Sequence, residues 1–176
     1  MSHVNITRRK AAEEVVAHQA AHDPLTGLAN RRLFAARLGA ALGGRQDAAE
    51  TGVLFVDLDG FKEVNDTYGH DAGDGVLHAA AHRLATVVVP SDCVARLGGD
   101  EFAVLARRPS RDALELLRQL VSEVLAEPHT VHGQRVNVPG SVGMTLAAVG
   151  EAPAVVMRRA DVAMYAVKRG RSPRSS

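Results

Sequence analysis

Tryptophan is absent from the 176 residues, aromatic side chains make up only 3% of them, and there is a single cysteine, Cys93. A core without large rings has to be built from Val, Leu, Ala and a few Phe. One cysteine excludes an internal disulfide and suits a reducing compartment. A basic excess is missing as well: the net charge is +1 at pH 7. That argues against a general binder of nucleic acid or membrane surfaces and leaves any phosphate recognition to local groups. No apolar run approaches the length of a membrane span, and the N-terminus lacks the apolar core of a signal peptide. The sequence thus predicts a cytoplasmic protein, or the cytosolic portion of a larger, membrane-attached one.

What is present suits a folded domain. Hydrophobic residues are 46% and charged residues 23% of the chain, and the length fits one domain with a sizeable core. TRRKAAEEVVAHQAA, over roughly residues 6–21, has helical spacing but too little apolar surface for a core, so residues 1–22 read as a connector helix. HDPLTGLANRR follows as a turn, with Asn30 placed to cap RRLFAARLGAAL, whose Leu33, Phe34, Leu38 and Leu42 share a face and which Gly43-Gly44 stops. TGVLFVDLDG is the clearest strand, a nearly unbroken β-branched and aromatic run typical of a central strand buried on both faces. A short helical turn is expected over 61–65 and a long amphipathic helix over 71–89, ended by Pro90. DCVARL and FAVLAR read as two strands of a hairpin joined through Gly98-Gly99-Asp100-Glu101. RDALELLRQLVSEVLA is a helix, RVNVPGSVGMTLAA one or two strands broken at Pro139-Gly140, and 153–169 a last helix before a disordered Arg/Ser tail at 172–176. The order describes an α/β or α+β sandwich around one sheet.

Two acidic points carry the chemistry. Asp57 and Asp59 end the most buried strand, and Asp100 and Glu101 occupy the hairpin turn. Carboxylates at the ends of adjacent strands can converge on one sheet edge and hold hard divalent cations, magnesium in particular, which takes its remaining ligands from phosphates and water. The plainer alternative is that acidic strand ends simply face water. Gly98 and Gly99 either let a phosphate or sugar approach the backbone or serve a turn that needs positive φ, and the two roles are compatible. Gly60, Phe61 and Lys62 form a loop whose amides and ammonium suit phosphate oxygens. Asn65 and Asp74 offer hydrogen-bond groups for a purine edge, or else serve as caps and turn residues.

LGGDEF at 97–102, with HDPLTGLANRRLF, FVDLDGFKEVNDTYGHDAGD, SVGMT and ADVAMYAVKRGR, resembles the GGDEF family of diguanylate cyclases over about residues 22–171. The resemblance implies an α+β fold like the palm of nucleotidyl cyclases and polymerases, with a central antiparallel sheet flanked by helices. It implies a catalytic domain over 23–171 that condenses two GTP into cyclic di-GMP and pyrophosphate with two Mg²⁺ or Mn²⁺ per active site. By the same resemblance Asp57, Asp100 and the Leu58 carbonyl would hold metal, and Lys62 would stabilise the transition state. Glu101 would serve metal or proton chemistry, Asn65 and Asp74 would read guanine, His70 would line the substrate site, and Lys168 would bind phosphate. Each protomer would hold one GTP, so two must face each other as a homodimer, with the connector helix pairing below an upstream sensor.

Two segments depart from the family pattern. The product-inhibition motif Arg-x-x-Asp is here Val89-Pro90-Ser91-Asp92, without its arginine, and Arg83 or Arg118 is the candidate to replace it. The KRGR end is one residue short, which leaves the reach of Arg171 open. Two readings compete with the cyclase: a catalytically inactive GGDEF-like module that binds GTP or cyclic di-GMP, and a cyclase for another nucleotide.

Overall fold

The computed structural model describes residues 20–44, 50–108 and 110–171. The connector helix expected over 1–22 lies outside the described residues except for its last three, and the tail at 172–176 lies outside them entirely. Strand β1 (Ala29–Asn30) is followed by α1 (Arg31–Leu42), β2 (Glu50–Leu58), α2 (Phe61–Tyr68), α3 (His70–Val87), β3 (Cys93–Gly98) and β4 (Glu101–Arg108). Then come α4 (Arg111–Ala126), β5 (His129–Val131), β6 (Gln134–Val136), β7 (Gly140–Ala147) and α5 (Pro153–Arg171). The main sheet runs β1-β3-β4-β2-β7, and β5-β6 form a separate hairpin. Pairing is antiparallel from β3 to β7, while the two-residue β1 lies parallel to β3. The sheet is therefore mixed rather than wholly antiparallel, within the expected α+β architecture.

Alternation along β2 divides the core. Leu54, Val56 and Leu58 point to the cluster shared with α3 and α4, whereas Val53 and Phe55 point to the cluster shared with α1 and α5. Asp57 falls on the second face by the period of two. In α5, Val156, Ala160 and Met164 are buried against that same face at intervals of four. Lys168 is the next residue of the stripe.

Most expected boundaries hold. Asn30 caps α1, its side chain accepting from the Leu33 amide at 3.0 Å, and Ser110 caps α4 by accepting from Ala113. The helix expected over 71–89 instead runs from His70 to Val87. Pro90 biases the residue before it toward extended backbone, and Val88 is already extended, so the helix ends two residues early. His70 opens that helix after Gly69 at φ 87°. The short turn expected at 61–65 extends to Tyr68.

Candidate active site

The carboxylate-bearing end of the sheet is built by register. Asp57 lies between Glu101 of β4 and Ser141 of β7 as their direct partner in both ladders. One residue on, the Leu58 amide donates to the Asp100 carbonyl at 3.3 Å, which ties the end of β2 to the β3–β4 turn. That turn needs its glycines: Gly98 sits at φ 138° and Gly99 at φ 53°, conformations costly for a residue with a Cβ. Asp57, Leu58, Asp100 and Glu101 thus share one sheet edge, and Lys168 reaches over from α5 to donate to Asp57 Oδ1.

Electrostatics follow from this crowding. Burial raises the Asp100 carboxyl above the usual carboxylate range and the negative charge of Asp57 raises it further, with Lys168 and Arg96 offsetting part of the effect. Glu101 is also raised, first by burial; Arg31 opposes this, while Asp100, Asp161 and Asp57 add to it. Burial works against the charge of Lys168, but Asp57, Asp59 and Asp100 together hold its ammonium protonated above the ordinary lysine value. Asp59 turns toward β7, where Ser141 Oγ donates to its two oxygens at 2.9 and 2.8 Å.

This donor set fits a hard divalent cation. Two repelling carboxylates and a backbone carbonyl offer only oxygen, and a cation, the Lys168 ammonium, is already drawn to them. Among the described residues no three His, Cys, Asp or Glu side chains group closely enough to hold a metal ion alone. A two-carboxylate edge of this kind suits magnesium, which completes its shell with substrate phosphates and water.

The other predicted residues lie on α2 and α3, joined to β2 through Asp59 and Gly60. Lys62 is exposed in the first turn of α2, and His70 and Asp74 are exposed on α3. Asn65 differs: its amide oxygen is buried with no hydrogen-bond partner among the described residues. It occupies the space over Gly73, where a Cβ would come within 1.9 Å of it. The glycine beside Asp74 is what lets Asn65 lie there.

Sequence reasoning missed three arginines. Arg96 donates to both oxygens of Asp23 at 3.1 Å and to the Gly99 carbonyl at 3.0 and 2.8 Å. Asp23 also accepts from Thr26 N at 2.9 Å and Thr26 Oγ1 at 2.7 Å. Burial alone would raise the Asp23 carboxyl, but these bonds outweigh it and hold it below the ordinary value. The HDPLT turn is therefore a buttress for the glycine turn, and only its local Asp-x-x-Thr signal was readable. Arg31 donates to the Leu97 carbonyl at 3.1 Å and to Glu101 at 3.4 Å. A cleft of about 440 Å³ lined by His22, Arg31, Arg32, Arg96 and Gly98 opens beside them.

Arg108 is the third. It makes a two-pronged pair with Asp92, at 2.8 and 2.6 Å, and Asp92 also accepts from the Val89 amide at 3.0 Å. Asp92, the residue kept from the Arg-x-x-Asp motif, is thus buried and engaged. Arg83 and Arg118, the expected replacements for the missing arginine, bond to the Glu127 and Pro128 carbonyls and to Glu115.

The family model for the diguanylate cyclase GGDEF domain matches residues 20–174. Diguanylate cyclase TpbB of Pseudomonas aeruginosa strain UCBPP-PA14 is 43% identical over 161 residues, covering 88% of this chain and 36% of TpbB. The chain thus spans about a third of that curated relative. Among solved structures, the GGDEF domain of TpbB from strain PAO1 aligns with TM-score 0.77 at 40% identity, over 85% of this chain and 89% of the other. The coiled coil and GGDEF domain of DgcB from Caulobacter crescentus, in complex with c-di-GMP, aligns with TM-score 0.86 at 29% identity, over 97% and 92%. With the glycine turn, the carboxylate edge and the whole sheet order falling inside these matches, the chain belongs to the GGDEF-domain family of diguanylate cyclases.

Proposed function

We propose that residues 23–171 form a working catalytic domain that joins two GTP molecules into cyclic di-GMP. The observation that carries this reading is the meeting of Asp57, Asp100 and Lys168 at one sheet edge. Magnesium or manganese, two ions per site, would be held by Asp57, Asp100 and the Leu58 carbonyl. Bound there, the metal acidifies the attacking 3′-hydroxyl and neutralises triphosphate charge.

The chain's own residues do the rest. Asn65 offers its orphaned oxygen to the guanine amino group, a bond that removes the cost of a buried unpaired acceptor, and Asp74 accepts from the guanine N1–H beside it. Gly98 and Gly99 let the nucleotide approach the backbone, and His70 lines the substrate site. Lys62 and Lys168 supply positive charge to the phosphates, Lys62 as charge develops in the transition state. Glu101, raised above its usual range, takes the proton from the 3′-hydroxyl. The 3′-oxygen bonds to the α-phosphorus of the facing GTP, the bond to its bridging oxygen breaks, and pyrophosphate leaves. Two such transfers close the ring, so two protomers must face each other. Residues 1–22 would act as the connector that sets their spacing, within a longer signalling protein.

The test is incubation of purified protein with GTP and Mg²⁺ and chromatography of the products. Cyclic di-GMP and pyrophosphate are expected; unchanged GTP from a demonstrated dimer overturns the reading.

A further inference from the structure

We infer that Lys168 competes with the first divalent cation for Asp57, which makes cation uptake depend on the arrival of a triphosphate. This rests on the metal and substrate reading above. The Lys168 ammonium donates to Asp57 Oδ1. The Asp57 side chain is 14% exposed and that of Lys168 39%, so little of the carboxylate stays open to an arriving ion while the ammonium holds Oδ1.

The backbone beneath Lys168 is fixed while its head is not. One helical turn earlier, Met164 lies directly over Gly143, where no Cβ has room. Beyond that anchor the lysine stem is four flexible carbons ending in a compact point charge. Two cations cannot bond the same carboxylate oxygen without strong repulsion. An ion that takes Asp57 Oδ1 and draws on Asp100 displaces the ammonium and engages two of its three acidic neighbours, leaving Asp59 as the third. A triphosphate provides a further counter-anion, and its oxygens also complete the shell of the ion. Ion and nucleotide therefore favour each other's binding, and the coupling is reciprocal.

The test is a Mn²⁺ titration of the whole 176-residue protein, followed by electron paramagnetic resonance of the free ion. It compares wild type, Lys168→Met and Lys168→Arg, without nucleotide and with a GTP analogue carrying a methylene between the α- and β-phosphorus. The analogue's own Mn²⁺ binding is measured and subtracted, and circular dichroism confirms each fold. Removing a charge-assisted bond should let Lys168→Met take up Mn²⁺ alone roughly ten- to a hundredfold more tightly than wild type. Lys168→Arg keeps the cation and should stay weak, and the analogue should improve Mn²⁺ binding less in Lys168→Met than in wild type. Equal Mn²⁺ affinity of wild type and Lys168→Met without nucleotide overturns the competition while leaving the cation site standing. Absence of Mn²⁺ uptake by all three proteins, with or without the analogue, overturns the cation site and the inference together.

Discussion

A Cβ on Gly143 would lie 2.0 Å from the backbone nitrogen of Met164 and 2.5 Å from its Cα. The obstacle is backbone, not a movable side chain, so α5 rests on β7 at contact distance. Gly143 pairs with Phe55 and Ser141 with Asp57, so two residues along β7 and four along α5 cover nearly the same length, about 6–7 Å. This match carries Lys168 to Asp57.

Gly143→Ala should therefore push α5 outward, costing about 1–3 kcal/mol as overpacking does, and lower cyclase activity by moving Lys168. Gly75→Ala, on the exposed side of α3 with nothing within 4 Å, should be neutral or stabilise by about 0.5–1 kcal/mol through helix propensity. Urea denaturation of both variants checks this pair of opposite effects.

The Asp92–Arg108 pair yields a second expectation. Asp92 has a side chain only 1% exposed, so Arg108→Leu leaves a buried charge unpaired and should cost about 3–5 kcal/mol. The double variant Asp92→Asn with Arg108→Leu should recover part of that loss, as thermal unfolding of the set will show. The same pair bears on feedback. With Val89 in the arginine position and Asp92 engaged, calorimetric titration with cyclic di-GMP should find weak or no binding there. Val89→Arg alone should restore little, because Arg108 holds the carboxylate. Submicromolar binding abolished by Asp92→Ala would contradict this.

His129 makes a readable contribution to acid stability. His129, the first residue of β5, is buried, and burial, then the Arg83 charge, lowers its pKa from 6.5 to about 4. Arg83 lies 3.2 Å from its Nε2 and 3.8 Å from Glu127. Between those pH values the unfolded chain binds a proton that the folded chain refuses. The contribution is therefore complete above pH 6.5 and lost as pH falls toward 4, on the order of 3 kcal/mol in all. Stability measured by denaturant across this window should fall less steeply in His129→Gln than in wild type.

Much of this was legible in the sequence because it is local. The unbroken run of β2, the Asn30 cap, and the glycine turn each declare themselves within a few residues. The i, i+4 stripe of α5 is equally local and places Lys168 by counting alone. The rest depends on partners far apart. β1 has two residues and is defined by its pairing with β3 and a bridge from Ala29 to His22, and the β5–β6 hairpin turns through His132 at φ 49°, a conformation unusual outside glycine. Arg96 with Asp23 and Arg108 with Asp92 join segments 73 and 16 residues apart, and nothing in a one-dimensional pattern pairs one arginine rather than another with a given carboxylate.

On the proposed function each protomer would hold one GTP, so specific activity should depend on protein concentration. It should climb until dimers dominate, by mass action, and a parallel coiled coil fused ahead of residue 22 should raise it at low concentration. A flat profile across a dilution series that begins from demonstrated monomer would count against paired catalysis.

The most direct measurement is chromatography of products after incubating the protein with GTP and Mg²⁺, beside Asp57→Asn and Asp100→Asn. Each variant deletes one charge from the proposed metal edge while keeping side-chain shape, so both should fold. The account predicts cyclic di-GMP and pyrophosphate from the unmodified protein and loss of most turnover in each variant. Unchanged GTP with dimeric wild type, or near wild-type turnover in either variant with magnesium as the only divalent ion, would contradict it.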